Sequence, residues 1–247
     1  MMGAILAGGR GSRLGPLTRN LPKPMVKIAG KPLLEHQIKL FRSCNIKKII
    51  LCLHYLPEKI IKHFGDGKKF GVEIRYSIEK EPMGTAGALK NAEKLLNDAF
   101  IVMYGDNFTN ISLKKLESFH KRKKAVATIA LCRRPAGQKT SSMVLADKSL
   151  RIKKFIERPK ESDSRLINGR YKYVNAGIYV LEPQVLKLIP KKRFDFGHEF
   201  FPLLLKKKLK LAGYCLPKGA YLKEIGTIEK LKTVREYAKT KIKSSIS

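Results

Sequence analysis

The stretch GAILAGGRG, Gly3 to Gly11, decides the fold class, because a short apolar segment runs directly into a loop of glycines. Gly3 to Ala7 is apolar throughout, which is typical of a buried strand. The turn Gly8 to Gly11 lets backbone N–H groups converge with no side chain in the way, and such a nest suits an anion like phosphate. This order predicts an α/β fold with an anion-binding loop after its first strand.

The segments that follow repeat the alternation of strand and helix. Hydrophobic periodicity predicts strands at Lys48 to Leu53, Val72 to Ser77, Phe100 to Tyr104 and Ala125 to Cys132. It predicts helices at Pro32 to Ser43, Pro57 to Phe64, Gly84 to Asn97 and Ile111 to Arg122. Repeated βαβ units indicate a Rossmann-like, mostly parallel mixed sheet with helices on both faces. Ligands bind such sheets at the carboxyl ends of the strands, so we expect a site in the loops after Ala7 and Tyr104.

The pattern changes after about Gly137. Further strands, some of them antiparallel, are predicted at Ser142 to Ala146, Lys153 to Ile156, Lys172 to Leu181 and Leu209 to Leu216, with a loop at Pro159 to Gly169. Two helices are predicted near Gly197 to Lys208 and Thr227 to Lys241, followed by a frayed tail from Lys243 to Ser247. Because no Gly/Ser-rich or Pro-rich linker interrupts the 247 residues, we expect one domain with a continuous sheet and a cleft.

Charge is the unusual feature of the composition. Lys and Arg number 52 against 20 Asp and Glu, a formal net charge of +32 that attracts nucleic acid, anionic membranes or phosphorylated substrates. The lysines form short groups along the whole chain, which favours a solvated surface over a dedicated nucleic-acid surface. The sequence also lacks zinc-finger spacing, an RNP-type aromatic pattern and an arginine-rich recognition helix. A basic nucleic-acid-binding protein is therefore the less favoured alternative, and we expect no specific nucleic-acid partner.

Cysteine spacing and hydropathy indicate the cellular setting. The four cysteines form no C-x-x-C pair, so a reduced, cytoplasmic location without zinc is expected. The apolar stretch Met1 to Ala7 is too short for a signal peptide. No apolar run approaches the roughly 18 residues of a membrane span, so no membrane insertion is expected.

Several motifs together resemble one enzyme family. Gly8 to Pro24 is similar to the signature G-G-x-G-[ST]-R-L-x-P-L-T-x-x-x-P-K-P of the sugar-1-phosphate nucleotidyltransferases. The same resemblance continues, in order and spacing, at GKPLLEH (Gly30 to His36), EPMGTAGAL (Glu81 to Leu89), YGDN (Tyr104 to Asn107), FIERP (Phe155 to Pro159), VNAGIYVLEP (Val174 to Pro183) and EIGTIEKL (Glu224 to Leu231). It implies the nucleotide-diphospho-sugar transferase fold over residues 1–247, with a nucleotide-binding half at 1–136, a sugar-binding half at 137–226 and a C-terminal helix and tail at 227–247.

The resemblance implies that a sugar 1-phosphate attacks the α-phosphorus of a nucleoside triphosphate and releases pyrophosphate. Such chemistry depends on positioning and charge neutralisation. Lys23 resembles the family lysine at the α-phosphate, and the alternative is a solvated lysine in a proline turn. Arg13 is expected at the leaving pyrophosphate. The catalytic set is then Arg13, Lys23 and Asp106, and the nucleotide is bound by Leu6, Gly8, Gly9, Gly11, Ser12, Arg13, Glu79, Gly84 and Thr85.

Mg²⁺ is the expected cofactor. Asp106 lies at the carboxyl end of the apolar strand Phe100 to Tyr104, and Mg²⁺ usually takes one or two carboxylates with phosphate oxygens and water. The alternative for Asp106 is a helix N-cap, a role for which Asn110 is better placed. The second metal ligand of the family is an aspartate before I-G-T, and Glu224 occupies that position here. Its extra methylene changes the position of the carboxylate relative to the backbone.

The sugar phosphate is expected to contact Glu157, Arg158 and Asn175. Arg158 stands where the family usually has lysine, and Ser141-Ser142-Met143 replaces the family Y-G-V strand, whose glycine lets the sugar approach. The family's usual tryptophan before the second carboxylate is also absent. Because the changes cluster at the sugar pocket, a catalytically weak regulatory subunit is one alternative.

The identity of the base depends on one loop. In the family that the chain resembles, the residue that reads the base lies a few positions before the G-T-A-G turn, and the matching position here is Glu79, or Glu81 if the loop shifts. A carboxylate only accepts hydrogen bonds, which complements the N1–H and N2–H₂ donors of guanine. This favours GTP with a mannose- or heptose-type 1-phosphate. A glucose-1-phosphate thymidylyl- or uridylyltransferase is the alternative, as is a surface-exposed Glu79 with no such role.

Apolar residues of the C-terminal helices can pack internally or against a second copy, so a homo-oligomer is also open.

Overall fold

The computed structural model describes residues 1–134, 141–159 and 171–243. The predicted loop after Pro159, the boundary at 136/137 and the predicted tail beyond Lys243 lie outside them. The strands are β1 Met2–Leu6, β2 Lys27–Ile28, β3 Lys31–Pro32, β4 Lys48–Leu53, β5 Glu73–Ile78, β6 Phe100–Tyr104, β7 Asn107–Thr109, β8 Ala127–Arg133, β9 Ser142–Ala146, β10 Ile152–Glu157, β11 Tyr173–Leu181, β12 Leu211–Cys215 and β13 Leu222–Glu224. The α-helices are α1 Leu33–Ser43, α2 Pro57–Phe64, α3 Gly84–Asn91, α4 Leu113–Lys123, α5 Phe201–Lys206 and α6 Ile228–Lys243.

The predicted alternation of strands and helices is confirmed, and β4, α2, β6 and β9 have the predicted bounds. Helix α3 is shorter than predicted, since Ala92 leaves helical geometry at φ −87° and ψ 2° and a 3-10 turn follows at Glu93–Leu95. Strands β2, β3, β7 and β13 were not predicted, because strands of two or three residues are too short to show a periodicity.

The described chain divides into two compact units. The first, called the terminal unit, comprises Met2–Pro82, Met103–Ile111 and the chain from Ala220. Its strands β1, β4 and β5 are parallel neighbours, with Gly3 opposite Ile49 and Lys48 opposite Glu73. The backbone N–H of Gly105 donates to the Leu6 carbonyl at 2.9 Å, which brings the loops after β1 and β6 together as predicted.

The second unit, called the middle unit, comprises Met83–Val102 and Ser112–Gly219. Strand β9 is antiparallel to β10 and β11, and β11 is antiparallel to β8, while β12 runs parallel to β8. The antiparallel pairing predicted for this part of the chain is confirmed. Buried aromatic rings fill its core, and Phe196 and Phe201 stack with centroids 5.4 Å apart.

Helix α6 packs inside the terminal unit. Its buried residues Leu231, Val234 and Ala238 join a cluster with Leu14, Val26, Ile28, Leu33 and Ile225. Internal packing is therefore the outcome for the apolar face of this helix. Among the described helices, none is both long and apolar enough to span a membrane.

Candidate active site

Neighbouring side chains closely approach the glycine loop after β1 at two positions. Gly11 adopts φ +70°, and a Cβ there would lie 2.8 Å from Cβ of Lys23. At Gly8, a Cβ would lie 3.1 Å from Cβ of His54 and 3.4 Å from Oε1 of Glu79. Gly9 has open space around it. The loop is therefore closely approached at both ends and open in its middle.

The segment after the loop is held by one side chain. Ser12 begins a 3-10 helix, Ser12–Thr18, and is exposed. The hydroxyl of buried Thr18 donates to the Gly11 carbonyl at 2.8 Å. This bond stabilises the left-handed turn from inside the loop and leaves its outer face to solvent.

Lys23 points into the structure and not into solvent. Pro22 precedes the 3-10 turn Lys23–Met25, and Lys23 is only 8% exposed. Its Nζ lies 2.5 Å from Oδ2 of Asp106. The alternative of a solvated lysine is therefore wrong, because the stem packs on Gly11 and the ammonium forms a partly buried ion pair.

The loop that carries Asp106 is fixed by glycine and by glutamine. A Cβ on Gly105 would lie 2.7 Å from the Leu6 carbonyl oxygen, so only glycine fits beside β1. Gln37 of α1 donates from Nε2 to the carbonyls of Tyr104 and Asn107 at 2.8 and 2.7 Å. Sequence reasoning missed Gln37; its signal was a polar residue on the apolar, buried face of α1.

Of the two predicted metal carboxylates, Asp106 directly precedes β7 and Glu224 ends β13, the strand paired with β7. Glu224 is paired with Asn107 across β13 and β7, and the N–H of Ile225 donates to the Asp106 carbonyl at 3.0 Å. The Glu224 carboxylate accepts hydrogen bonds from Lys230 and from the backbone N–H of Gly226. A Cβ on Gly226 would lie 3.1 Å from Nη2 of Arg13, so exposed Arg13 reaches the same turn.

Charge keeps Glu224 ionised. Burial by itself raises the pKa of this carboxyl, but the Lys230 hydrogen bond and the charges of Lys230 and Lys23 outweigh burial and lower the pKa below its ordinary value. The carboxylate is therefore in the form that a cation requires.

The oxygen donors here fit a divalent metal. Mg²⁺ binds through one or two carboxylates and completes its shell with phosphate oxygens and water. Asp106 and Glu224 supply two carboxylates, and the described residues contain no group of three or more His, Cys, Asp or Glu that could hold an ion alone. This donor set suits a metal that arrives with its substrate.

Asn110 is not the N-cap of helix α4. That role belongs to Ser112, whose Oγ accepts from the N–H of Lys115 at 3.3 Å. The prediction for Asn110 was wrong because its amide is engaged elsewhere: Oδ1 accepts from the N–H of Tyr221 and Nδ2 donates to the Tyr237 hydroxyl. Asp106 does not cap the helix either.

Glu79 is buried and Glu81 is exposed. Glu79 follows β5 directly, is 7% exposed, and its N–H donates to the Leu53 carbonyl at 2.8 Å. Its carboxylate approaches Gly8, as the 3.4 Å spacing shows. The alternative of a surface-exposed Glu79 is wrong, since the strand end directs the side chain toward the glycine loop.

The middle unit carries the G-T-A-G turn. Gly84 begins α3 with φ +74°. The N–H and hydroxyl of Thr85 donate to Oδ1 of Asp195 at 3.1 and 3.3 Å, and the Thr85 hydroxyl accepts from the N–H of Phe196 at 2.8 Å. Sequence reasoning missed Asp195, although a single acid in the apolar stretch FDFG was a signal for it.

The predicted sugar residues also lie in the middle unit. Asn175 donates from its backbone to Oγ of Ser142 and from Nδ2 to the Tyr179 hydroxyl, each at 2.8 Å. Buried Ser142, one of the departures from the family pattern, thus holds Asn175 in place. A register shift between β11 and β8 starts at Asn175 and turns the strand locally. Arg158 is exposed at φ +45°, and its N–H donates to the Ser141 carbonyl at 2.8 Å.

Glu157 has an unusual environment. Its carboxyl group occupies the space where a Cβ on Gly197 would stand. Burial raises the pKa of Glu157 to about 7, while the charge of Arg158 lowers it and the charge of Asp195 raises it. The carboxyl therefore titrates near neutral pH.

Comparison with known proteins gives one consistent result. The nucleotidyl transferase family model matches residues 2–241. The chain is 36% identical over 227 residues to a mannose-1-phosphate guanyltransferase of Yarrowia lipolytica, covering 89% of this chain and 61% of the relative. A mannose-1-phosphate guanyltransferase of Saccharomyces cerevisiae is 37% identical over 214 residues, covering 84% and 57%. This chain thus spans about three fifths of the length of these relatives.

A solved structure supports the fold. The crystal structure of HddC from Yersinia pseudotuberculosis complexed with GMP-PN aligns with a TM-score of 0.77 at 27% identity, covering 96% of this chain and 99% of that one. The predicted fold class is confirmed by this similarity.

Proposed function

Because the chain belongs to the nucleotidyl transferase family, we propose that it is a guanylyltransferase acting on a sugar 1-phosphate. It transfers the guanylyl group of GTP to a mannose- or heptose-type 1-phosphate and releases pyrophosphate. The Lys23–Asp106 pair beside the glycine loop is the observation that carries this proposal. A buried, positioned cation next to converging backbone N–H groups suits the charge that develops at a phosphorus under attack.

Each part of the terminal unit has a role in this proposal. Gly8, Gly9 and Gly11 present the loop to the triphosphate, and Lys23 neutralises the α-phosphate. Exposed Arg13 lies at the Glu224–Gly226 turn and binds the leaving pyrophosphate with its planar fork of donors. These groups orient and neutralise the substrate, and no covalent enzyme intermediate is needed.

Asp106 and Glu224 are the residues that would hold a divalent metal, with Mg²⁺ as our proposal. The ion supplies charge neutralisation on the phosphate oxygens when it is bound. Lys23 forms an ion pair with Asp106 and Lys230 forms one with Glu224, so each carboxylate is held in place by a cation.

Glu79 supports GTP over the other nucleotides. Its buried carboxylate near Gly8 offers two acceptors, which match the adjacent N1–H and N2–H₂ donors of guanine. The names of the two yeast relatives and the GMP-PN complex of HddC support the same choice.

The predicted halves, 1–136 for the nucleotide and 137–226 for the sugar, remain our proposal for the domain organisation.

The sugar 1-phosphate is proposed to contact Glu157, Arg158 and Asn175. A carboxylate and an amide suit sugar hydroxyls, and a guanidinium suits phosphate.

The free cysteines Cys44, Cys52, Cys132 and Cys215 are compatible with a reducing compartment, so we also propose a cytoplasmic location.

Pyrophosphate release tests the proposal. Purified protein with Mg²⁺ is given GTP, ATP, CTP, UTP or dTTP against the 1-phosphates of mannose, heptose, glucose, galactose and N-acetylglucosamine. We expect release with GTP and a mannose- or heptose-type substrate. Turnover confined to UTP or dTTP with glucose 1-phosphate would contradict it, and folded protein silent across the matrix would favour a regulatory subunit.

A further inference from the structure

The Phe194–Gly197 segment of the middle unit lies against two predicted substrate groups. One is the G-T-A-G turn, proposed to bind the nucleotide, and the other is Glu157, proposed to bind the sugar. Neither the family resemblance nor the comparisons assign a role to this segment. Its single acid, Asp195, bonds to Thr85 of the turn and acts through its charge on Glu157.

Backbone and side-chain bonds join the segment to the turn. Phe194 donates its N–H to the Met83 carbonyl at 2.8 Å and accepts from the N–H groups of Ala86 and Gly87 at 2.9 Å. Asp195 Oδ1 then accepts from both the N–H and the hydroxyl of Thr85. A Cβ on Gly84 would lie 2.9 Å from the Phe194 carbonyl oxygen, so the turn and the Phe194–Gly197 segment are in direct contact.

The same segment reaches Glu157 on its other side. Glu157 fills the space left by the missing side chain of Gly197, two residues after Asp195. The negative charge of Asp195 acts on the Glu157 carboxyl and favours its protonated form, and Arg158 is the cation that opposes this effect. Any movement of the segment therefore changes the surroundings of both groups.

Asp195 is itself held firmly. Its N–H donates to Oε2 of Glu199 at 2.7 Å, and its carbonyl accepts from the N–H groups of Glu199 and Phe200. Phe196 and Phe200, which follow Asp195 in the chain, are fully buried. Because the backbone of Asp195 is anchored in this way, a movement of the turn is transmitted through Asp195 to its neighbours and is not absorbed by it.

We propose that Asp195 is a positioning residue that couples nucleotide binding at Gly84–Thr85 to sugar-phosphate binding at Glu157. The inference rests on the proposed function and adds to it a coupling between the two substrates. A nucleotide that shifts the turn moves Asp195 with it, and the moved segment brings the surroundings of Glu157 into their binding geometry. By thermodynamic reciprocity, the sugar phosphate strengthens nucleotide binding by the same factor.

Calorimetric titration tests the coupling without turnover. The dissociation constant of mannose 1-phosphate is measured with Mg²⁺, in the absence and in the presence of a saturating non-hydrolysable α,β-methylene analogue of GTP. We expect the analogue to tighten sugar-phosphate binding by about 5- to 100-fold in the wild-type protein. In Asp195→Ala, the ratio of the mannose 1-phosphate dissociation constant without the analogue to that with the analogue falls to about 1.

Three variants separate coupling from folding. Asp195→Asn keeps an oxygen acceptor for Thr85 and removes the charge, so we expect nearly normal binding of the analogue with a reduced ratio. Thr85→Val removes the hydrogen bond from the Thr85 hydroxyl to Asp195. Because both changes act on the same link, the double variant Thr85→Val/Asp195→Ala is expected to have the same ratio as Asp195→Ala alone. Lys191→Met, exposed on the same stretch, is the matched control and keeps the wild-type ratio.

The outcomes distinguish the two proposals. Wild-type protein that binds neither the analogue nor the sugar phosphate would overturn the proposed function and the coupling with it. Wild-type protein that binds both, with a ratio of 1 or with the ratio unchanged in Asp195→Ala and Asp195→Asn, would overturn the coupling alone.

Discussion

Lys23 and Asp106 are 83 positions apart in the chain, and Nζ of Lys23 lies 2.5 Å from Oδ2 of Asp106. The lysine is held by a proline turn and packs on Gly11, while the aspartate follows strand β6 and a glycine that contacts β1. The carboxylate of Asp106 compensates the charge of the Lys23 ammonium, so a positioned cation is held beside the glycine loop.

Lys23→Met tests this arrangement. We expect the rate of nucleotidyl transfer to fall by about 100- to 1000-fold, because the positioned cation is lost while an unbranched apolar stem is kept. Steady-state pyrophosphate release measures the effect, and circular dichroism checks the fold. Lys27→Met, at an exposed lysine four positions further on, is the control and keeps its activity. Equal activity in both variants would remove Lys23 from the proposed site.

Gly11→Ala tests the close approach of Lys23 to the loop. Gly11 and Gly30 both have positive φ, of +70° and +80°, but only at Gly11 would a Cβ meet another residue. Substitution at either site is expected to lower the free energy of unfolding by about 1–2 kcal/mol. Only Gly11→Ala displaces Lys23 and reduces kcat. Chemical denaturation and kinetics together make the comparison, and an unchanged kcat in Gly11→Ala would contradict it.

Glu79→Gln tests the choice of base. An amide of the same size replaces one acceptor with a donor, so preference for GTP over UTP in kcat/KM is expected to fall by about 10- to 100-fold. Glu81→Gln is the matched control at an exposed glutamate and leaves the preference unchanged. A change in preference in Glu81→Gln and not in Glu79→Gln would transfer the role to Glu81.

Glu157 makes stability depend on pH. Its pKa of about 7 in the folded protein lies above the ordinary value of 4.5, so the folded state binds more protons between these pH values. The free energy of unfolding therefore decreases as pH rises from about 4.5 to about 7. Glu157→Gln removes this loss, and we expect the variant to be more stable than wild type by about 1–3 kcal/mol at pH 8, with no difference below pH 4.5.

Urea denaturation at several pH values measures the Glu157 effect. Glu58→Gln, at an exposed glutamate of α2, is the control and follows the wild-type curve. A Glu157→Gln difference that is the same at pH 4.5 and pH 8 would mean that this carboxyl does not titrate near neutrality.

Glu224→Gln tests the second metal ligand. Loss of one carboxylate charge is expected to raise the Mg²⁺ concentration for half-maximal activity by at least about 10-fold. The exposed neighbour Glu229 gives the control Glu229→Gln, with unchanged metal dependence. If titration with Mg²⁺ gives the same curve for both variants, Asp106 binds the ion without Glu224.

Local patterns were enough to predict the long elements and the position of the glycine loop. The apolar run of β6 and the glycines after β1 each carry their signal within about ten residues. The burial of Glu79 and the bond between Ser142 and Asn175 depend on which strands become neighbours, so no local pattern could show them. Asn110 was misassigned for the same reason, since its partners Tyr221 and Tyr237 are distant in the chain.

The most direct test of the central claim is identification of the product by mass spectrometry. Purified protein with Mg²⁺, GTP and mannose 1-phosphate is predicted to form GDP-mannose and pyrophosphate in equal amounts, and Lys23→Met to form about 100-fold less in the same time. Folded wild-type protein that forms no GDP-sugar with mannose 1-phosphate or a heptose 1-phosphate, or that forms a UDP- or dTDP-sugar instead, would contradict it.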